Sequence, residues 1–372
     1  MALIINEEQE MLKQSAKDFL KERSPVEALR KLRDTNDANG YDKALWQEMA
    51  EMGWACLTID EEHGGLGFGY VGLGQVLEET GRLLVASPMI STVLLGTTAI
   101  NIGGSAAQKS ALLPEIAEGK LLLSLATEEY NAHRPYTVNT SAAMNDGGFS
   151  ISGKKKFVLD GHVANTFIVS ANTANGLTLF LVPADADGVR IERHIMMDSR
   201  NSATVTFDNV QISNEAMLGV NGEGKAVLEK TLDIGRIGLC AEMLGLILEA
   251  YERTMAYLKE RKQFGLTIGS FQGLQHRAAQ MFCEVELCKS LVLNGLQAID
   301  EGKDLQTIAS MAKAKVGQVA QLVSNEGIQM YGGIGMTDEE EIGWYMKRAR
   351  VAQQSLGGES YHINRFAKLS GF

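Results

Sequence analysis

Basic character is scarce in this chain: 35 Lys and Arg stand against 46 Asp and Glu, giving a formal net charge of −11 and a pI near 5.2. Binders of polyanions show a basic stripe, so nucleic acid and anionic membrane surfaces are not the expected partners, although a single anionic cofactor can dock on a local group of Arg and Lys. No apolar run reaches the ~18 residues that a membrane-crossing helix needs. The N-terminal MALIINEEQEMLKQSAKDFL carries acidic residues where a secretory leader has a basic segment, so the expectation is a soluble cytoplasmic protein. Cysteine is sparse as well. Cys56 and Cys240 stand alone in apolar runs, and Cys283 and Cys288 share a helical stretch without nearby His, which fits reduced thiols and gives no metal site. What is plentiful is apolar: 45% of 372 residues, enough to bury a sizeable core and to form two or three domains.

Hydrophobic spacing changes twice along the chain. From Asn6 to Leu121 apolar residues recur at three and four, as in EEQEMLKQSAKDFLKER, ALWQEMAEMGWACL, GLGQVLEETGRLL and AAQKSALLPEIAEG. From about Leu122 to Leu218 the period is two, as in TFIVSAN, LTLFLVP, VRIERH and ATVTFDNVQI between Gly, Asn and Asp turns. Helical spacing returns from about Asn221 in EMLGLILEAYERTMAYLKERKQF, LQHRAAQMFCEVELCKSLVLNGLQAI and LQTIASMAKAKVGQVAQLVSNEGIQMY. The expected fold is therefore α+β and multidomain: an N-terminal helical domain over 1–121, a middle β-barrel-like domain over 122–220 and a C-terminal helical domain over 221–372.

Two glycine-rich stretches invite a phosphate reading, since Gly lets backbone N–H groups approach a phosphate. His63-Gly64-Gly65-Leu66-Gly67-Phe68-Gly69 lacks both the GxGxxG spacing and the βαβ frame, so it reads as a turn between helices. Gly332-Gly333-Ile334-Gly335 follows a helix ending in QMY and alone reads as a C-cap and linker. It gains weight in combination with Arg261-Lys262-Gln263-Phe264-Gly265, Phe271-Gln272-Gly273-Leu274-Gln275-His276 and Arg348-Ala349-Arg350.

In that order, these segments resemble the C-terminal half of the acyl-CoA dehydrogenases. The resemblance extends over essentially the whole chain through GWACLTIDEEHGGLGFG, SLATEE, SGKKKFVLDG and TFDNVQISNEAMLG. Within the family, LCAEMLG, GLTIGSFQGLQHRAAQM and GGIGMTDEEEIGWYMKR resemble the small subunits of heteromeric enzymes that act on pimeloyl-CoA or on steroid side chains. The resemblance implies a C-terminal four-helix bundle and FAD-dependent removal of a Cα proton and a Cβ hydride from an acyl-CoA, giving the 2-enoyl-CoA, with electrons passed to an electron-transfer flavoprotein. It implies an FAD shared between protomers. Arg261, Phe264, Gln272, Gln329, Gly332, Gly333 and Ser360 fall on its neighbour side, Thr127, Phe157 and Leu159 on its ring side, and Asp233 and Arg236 on the substrate side. The ring side departs from the family. Where a Pro and a small Gly-Ser pair are expected to meet phosphates, the chain has Glu129-Tyr130-Asn131-Ala132-His133-Arg134, and where Trp-Ile-Thr is common it has Phe157-Val158-Leu159.

The catalytic base is the open question. Its usual position in the family lies seven residues before Arg365, which is Gly358, with Glu359 one residue off; the alternative position, directly before Arg236, is Gly235. A third candidate is Glu242, the only charged side chain between Arg236 and Glu249. A carboxylate alone on an apolar helix face suits a base acting near neutrality, and it equally suits a buried partner of an arginine. The remaining option is that a partner chain supplies the base, in an α2β2 assembly rather than a homotetramer. Three functional readings stay open: a working dehydrogenase subunit, a catalytically silent subunit that completes a partner's FAD site, and a flavin oxidase on the same scaffold. The branch resemblance points to a bulky, cyclic or terminally carboxylated acyl group.

Overall fold

The computed structural model describes residues 3–372, so Met1 and Ala2 of the N-terminal stretch lie outside the described residues. Six helices come first: α1 (Glu7–Arg23), α2 (Val26–Asp34), α3 (Lys43–Glu51), α4 (Gly69–Arg82), α5 (Thr97–Gly103) and α6 (Ala106–Ala117). Eight strands follow: β1 (Leu123–Ala126), β2 (Ser141–Asn145), β3 (Gly148–Leu159), β4 (Thr166–Thr173), β5 (Gly176–Pro183), β6 (Val189–Ile195), β7 (Asn201–Ser213) and β8 (Met217–Leu218). The chain then continues through α7 (Gly224–Glu260), the small hairpin β9 (Lys262–Gln263) and β10 (Leu266–Thr267), α8 (Gln272–Asp300), α9 (Gln306–Tyr331), α10 (Ile342–Gln354) and α11 (Glu359–Leu369). This helix, sheet, helix order is the one that the two changes of hydrophobic period predict. By compactness the chain divides into two units, one of Met1–Lys31, Tyr70–Val85 and Arg236–Phe372, the other of Leu32–Gly69 and Ala86–Gly235.

The second unit is built on the strands. They form one mixed sheet in the order β6-β7-β3-β2-β4-β5-β8, with β1 parallel to β4. Alternation along the strands delivers Phe149, Phe167, Phe180 and Phe207 to one core with Ile151, Val169, Val182 and Val205. Phe149 and Phe180 lie 5.0 Å apart at a tilt, and Phe167 and Phe207 meet edge to face at 6.2 Å. Each such buried side chain contributes about 1.5–3 kcal/mol. The pairing of β3 with β7 slips between Lys155 and Val158, and there Phe157 turns into the left-handed region at φ 51° and is 56% exposed.

One element is absent from the periodicity. Met89–Gly96 is a continuous apolar run that winds as a π-helix, buried throughout. Thr92 Oγ1 both donates to Leu123 O (3.1 Å) and accepts from Leu123 N (3.0 Å), which ties this segment to β1. The Gly64–Gly69 stretch is a turn into α4, as its spacing implies. A Cβ on Gly65 would lie 1.9 Å from Ile59 O, so this glycine serves a close approach of the chain to itself.

In the helical unit, α1 opens on a capping box in which Asn6 Oδ1 accepts from Gln9 N (2.8 Å) and Gln9 Oε1 accepts from Asn6 N (2.9 Å). Helices α4 and α7 cross almost backbone to backbone. A Cβ on Gly81 would lie 2.0 Å from Glu242 O, and one on Gly245 would lie 1.8 Å from Glu78 O. This crossing fixes the stretch of α7 that carries Glu242.

Candidate functional site

The C-terminal glycines and the β9–β10 hairpin form one exposed edge of the helical unit. Arg261 ends α7, and its carbonyl accepts from Ile268 N at 2.8 Å, closing the hairpin. At the tip, Phe264 holds φ 53° and is 92% exposed, with Phe271 edge-on at 6.3 Å. An aromatic ring in the left-handed region and in water is costly on two counts, which a flat ligand stacked on it would offset. Gln272 is exposed at the start of α8, Gln329 in the last turn of α9 and Ser360 in the first turn of α11. Gly332 has φ 69°, and a Cβ on Gly332 or Gly333 would meet nothing within 4 Å. Tyr257, one turn before Arg261, stacks on Tyr331 at 4.1 Å and so brings the hairpin beside the glycine turn. Arg261, Phe264, Gln272, Gln329 and the glycine pair are thus all accessible on this unit; the Gly332 N–H turns back to Gln329 O and Ile328 O, and an exposed ring beside an open glycine turn fits a dinucleotide such as FAD.

The candidate base positions meet a different environment. Gly358 caps α11 at φ −80° and ψ 175°, and Glu359 Oε1 accepts from Gln318 Nε2 at 2.6 Å. Glu242 is 1% exposed and accepts from Arg348 Nη2 at 2.6 Å, a side chain itself 7% exposed. This is the arginine-paired alternative that the sequence left open, and it holds the carboxylate as an ionised acceptor. Arg236 is fully buried: its Nε donates to Leu356 O at 3.1 Å and its guanidinium lies 5.6 Å from the Tyr361 ring. Asp233 is likewise buried on α7.

Sequence reasoning missed Lys313. Its Nζ, in the helical core, donates to Gln353 O (2.8 Å) and Gly357 O (3.1 Å), and burial pushes the ammonium down to about 8. With Arg236 and His362 Nε2, which lies 3.0 Å from Leu356 O, it grips the turn between α10 and α11. A partial signal existed in the sequence: Lys313 shares a helix face with Ala309, Ala312, Val316 and Ala320, but Lys315 two residues on blurs the isolation that singled out Glu242.

The ring-side stretch of the sheet unit is occupied by its own side chains. Thr127 is buried, Leu159 is half-buried, and Glu129 sits between four donors. Its Oε1 accepts from Lys155 Nζ (2.7 Å), Thr140 Oγ1 (2.7 Å) and Thr140 N (3.0 Å), and its Oε2 accepts from Asn139 N (2.7 Å). Burial pushes Glu129 up, but the Lys155 and Thr140 bonds outweigh it and hold the carboxyl below its usual range; burial pushes Lys155 down to about 8. Glu128 takes His133 Nδ1 (2.5 Å) and Arg134 N (3.1 Å). Glu128 and Glu129 thus engage the His133 ring, the Lys155 ammonium and the main-chain amides of Arg134, Asn139 and Thr140, while the Arg134 guanidinium is exposed over the Tyr130 ring at 5.7 Å; the open cradle of small residues that the resemblance implies for a phosphate is absent.

Comparison with known proteins gives the family. The acyl-CoA dehydrogenase N-terminal, middle and C-terminal domain models match residues 6–120, 124–210 and 222–370. A short-chain specific acyl-CoA dehydrogenase of Megasphaera elsdenii is 31% identical over 328 residues, covering 84% of this chain and 86% of that protein. The chain belongs to the acyl-CoA dehydrogenase family. Among solved structures it is similar to one titled for the electron transferring flavoprotein of Acidaminococcus fermentans (TM-score 0.93, 28% identity, all of both chains). It is also similar to a variant of the Tcur3481-Tcur3483 steroid ACAD (TM-score 0.90, 30% identity, 98% of both chains). Among the described residues no helix is long and apolar enough to cross a membrane.

Proposed function

We propose that this acyl-CoA dehydrogenase chain works as one subunit of a heteromeric enzyme, in which a homologous partner supplies both the catalytic base and the ring-side cradle of FAD. One observation carries the reading: the two halves of the expected site differ in state. The hairpin and Gly332–Gly333 edge is open, while Gly358 and Gly235 bear no carboxylate, Glu242 is tied to Arg348, and Glu128 and Glu129 are paired with His133 and Lys155 where small residues are expected. Loss through drift would weaken both halves alike. FAD, when bound, supplies acceptance of the hydride from the substrate's Cβ. The chain's own share is recognition: Arg261 meets a phosphate, Phe264 and Gln272 run along the adenosine with Ser360 near by, Gln329 and Gly333 donate from the glycine turn, and Gly332, whose N–H is held by α9, leaves room for the approach.

The relative similar in steroid chemistry supports a bulky or cyclic acyl-CoA, and the electron-transferring flavoprotein title among the similar structures supports that acceptor. We assign a cytoplasmic setting and the three-part division at 1–121, 122–220 and 221–372 on the same footing. Glu242 as base in a self-sufficient homotetramer is the second reading, favoured by its place on an otherwise apolar face of α7. Visible spectra separate the two. A purified chain that is colourless alone, and that yields a yellow, acyl-CoA-bleachable protein with its co-encoded homologue, supports the heteromer. A chain that is yellow and bleached alone supports the homotetramer, and rapid turnover with oxygen alone indicates an oxidase.

A further inference from the structure

We infer that Tyr257 and Tyr331 form a crosswise clasp that holds the exposed Gly332–Gly333 turn in place for an approaching group, which makes Tyr257 a positioning residue for the cofactor contact. The inference rests on the reading that FAD meets this turn. Tyr331 is the last residue of α9 and the N-cap of the short 3₁₀ turn Gly332–Met336, so its carbonyl sits at the junction of the two. Tyr257 Oη, from α7, donates to that carbonyl at 3.3 Å. Tyr331 Oη returns the contact, donating to Arg253 O at 3.2 Å, one turn before Tyr257 on the same helix. The two rings stack between these bonds at 4.1 Å and 13°.

Each side of the clasp is itself held. Arg253 Nε donates to Glu249 at 2.8 Å and its Nη1 to Glu341 at 2.5 Å, with the guanidinium 5.5 Å from the Tyr345 ring. Beyond the glycines, Thr337 closes the turn through N (3.0 Å) and Oγ1 (2.7 Å) to Ile334 O. Burial pushes the Tyr331 phenol up to about 12, so its O–H is a donor throughout the neutral range. The turn is therefore pinned at both ends and open between.

Gly333 shows what the open part is for. Unlike Gly332 it is not in the left-handed region, and a Cβ there would meet nothing within 4 Å, so the chain's own packing does not call for glycine. An alanine would stabilise the fold by restricting the unfolded chain. Glycine at such a position marks the close approach of a group from outside the chain.

The test uses the full chain in the assembly in which it binds flavin, with FAD affinity read by flavin fluorescence and hydrogen exchange read on a peptide spanning 331–337. Tyr257→Leu removes ring and hydroxyl, and Tyr257→Phe keeps the stack. Gly333→Val blocks the approach. Losing a stack and a hydrogen bond predicts FAD affinity about tenfold weaker and faster exchange across Gly332–Gly335 in Tyr257→Leu, with Tyr257→Phe within about threefold of wild type. Gly333→Val weakens FAD by at least about tenfold without faster exchange. If Gly333→Val weakens FAD and Tyr257→Leu changes neither affinity nor exchange, the clasp is overturned and the cofactor reading stands. If Gly333→Val leaves FAD affinity unchanged, the cofactor reading fails, and with it the role assigned to Tyr257, whatever the exchange shows. Should Tyr257→Leu fail to fold, the double variant Tyr257→Phe with Tyr331→Phe keeps the stack and removes both bonds of the clasp; unchanged exchange and affinity there likewise overturn the clasp.

Discussion

Replacing Glu242 by Gln separates a structural carboxylate from a catalytic one, because the geometry sets different magnitudes for the two roles. Glu242 and Arg348 are 1% and 7% exposed and share a 2.6 Å bond. Removing one charge of a buried pair strands the other, at a cost of about 3–5 kcal/mol. For a chain of this size that is a melting temperature lower by roughly 4–6 °C. Replacing both members by apolar side chains of similar length, Glu242→Met with Arg348→Met, removes the stranded charge and restores most of the loss. If the pair is structural, the double variant, assembled with its partner, bleaches its flavin with acyl-CoA at a rate within about threefold of wild type. If Glu242 is the base, the double variant melts normally yet loses a factor of about 10²–10⁴ in turnover, as expected for a lost general base. Thermal melts together with acyl-CoA bleaching of the flavin-loaded protein read both effects. A single variant as stable as wild type would refute the stranded-charge argument, and an inactive but stable, flavin-loaded double variant would refute the structural assignment.

Other outcomes follow from single features. Lys313 is held near 8 in the fold against 10.5 when unfolded, so between those values the unfolded chain binds more protons and stability rises with pH; Lys313→Met should flatten that rise, by up to about 3 kcal/mol, in denaturant titrations from pH 7 to 10.5. Glu79, pushed up to about 7 chiefly by burial, has the opposite sign: the fold binds the extra proton between 4.5 and 7, stability falls as pH rises through that window, and Glu79→Gln should lessen the fall. Gly245→Ala would place a Cβ 1.8 Å from Glu78 O, a backbone atom, so soluble yield should collapse or stability drop by at least about 3 kcal/mol in urea melts, whereas Gly273→Ala, with nothing within 4 Å, should fold normally.

Much of the fold was legible because strands and helices write different periods, and the sheet of Leu123–Leu218 lies where the period of two was read. Met89–Gly96 was not legible, since an apolar run buried on every side carries no period at all. The accessible edge of the candidate site was visible as motif residues, and Phe264 and the Gly332–Gly333 pair stand at the surface with little of their own chain around them. Partners inside the fold were hidden. Nothing in the spacing of Glu242 and Arg348, or of Glu129 and Lys155, reveals that long-range packing brings each pair within 2.7 Å. Glu129 to Arg134 reads as a bulky, cationic loop in sequence, whereas in the fold Glu129 and the preceding Glu128 take up the Lys155 ammonium, the His133 ring and main-chain amides and leave the Arg134 guanidinium exposed.

The flavin-to-chain ratio tests the central claim most directly. The chain is produced alone and with its co-encoded homologue, and FAD released by denaturation is counted against polypeptide in each. The account predicts negligible FAD and no acyl-CoA turnover for the chain alone, and one FAD for every two polypeptides in the active complex. One FAD per polypeptide in the chain alone, together with turnover of an acyl-CoA, would contradict it.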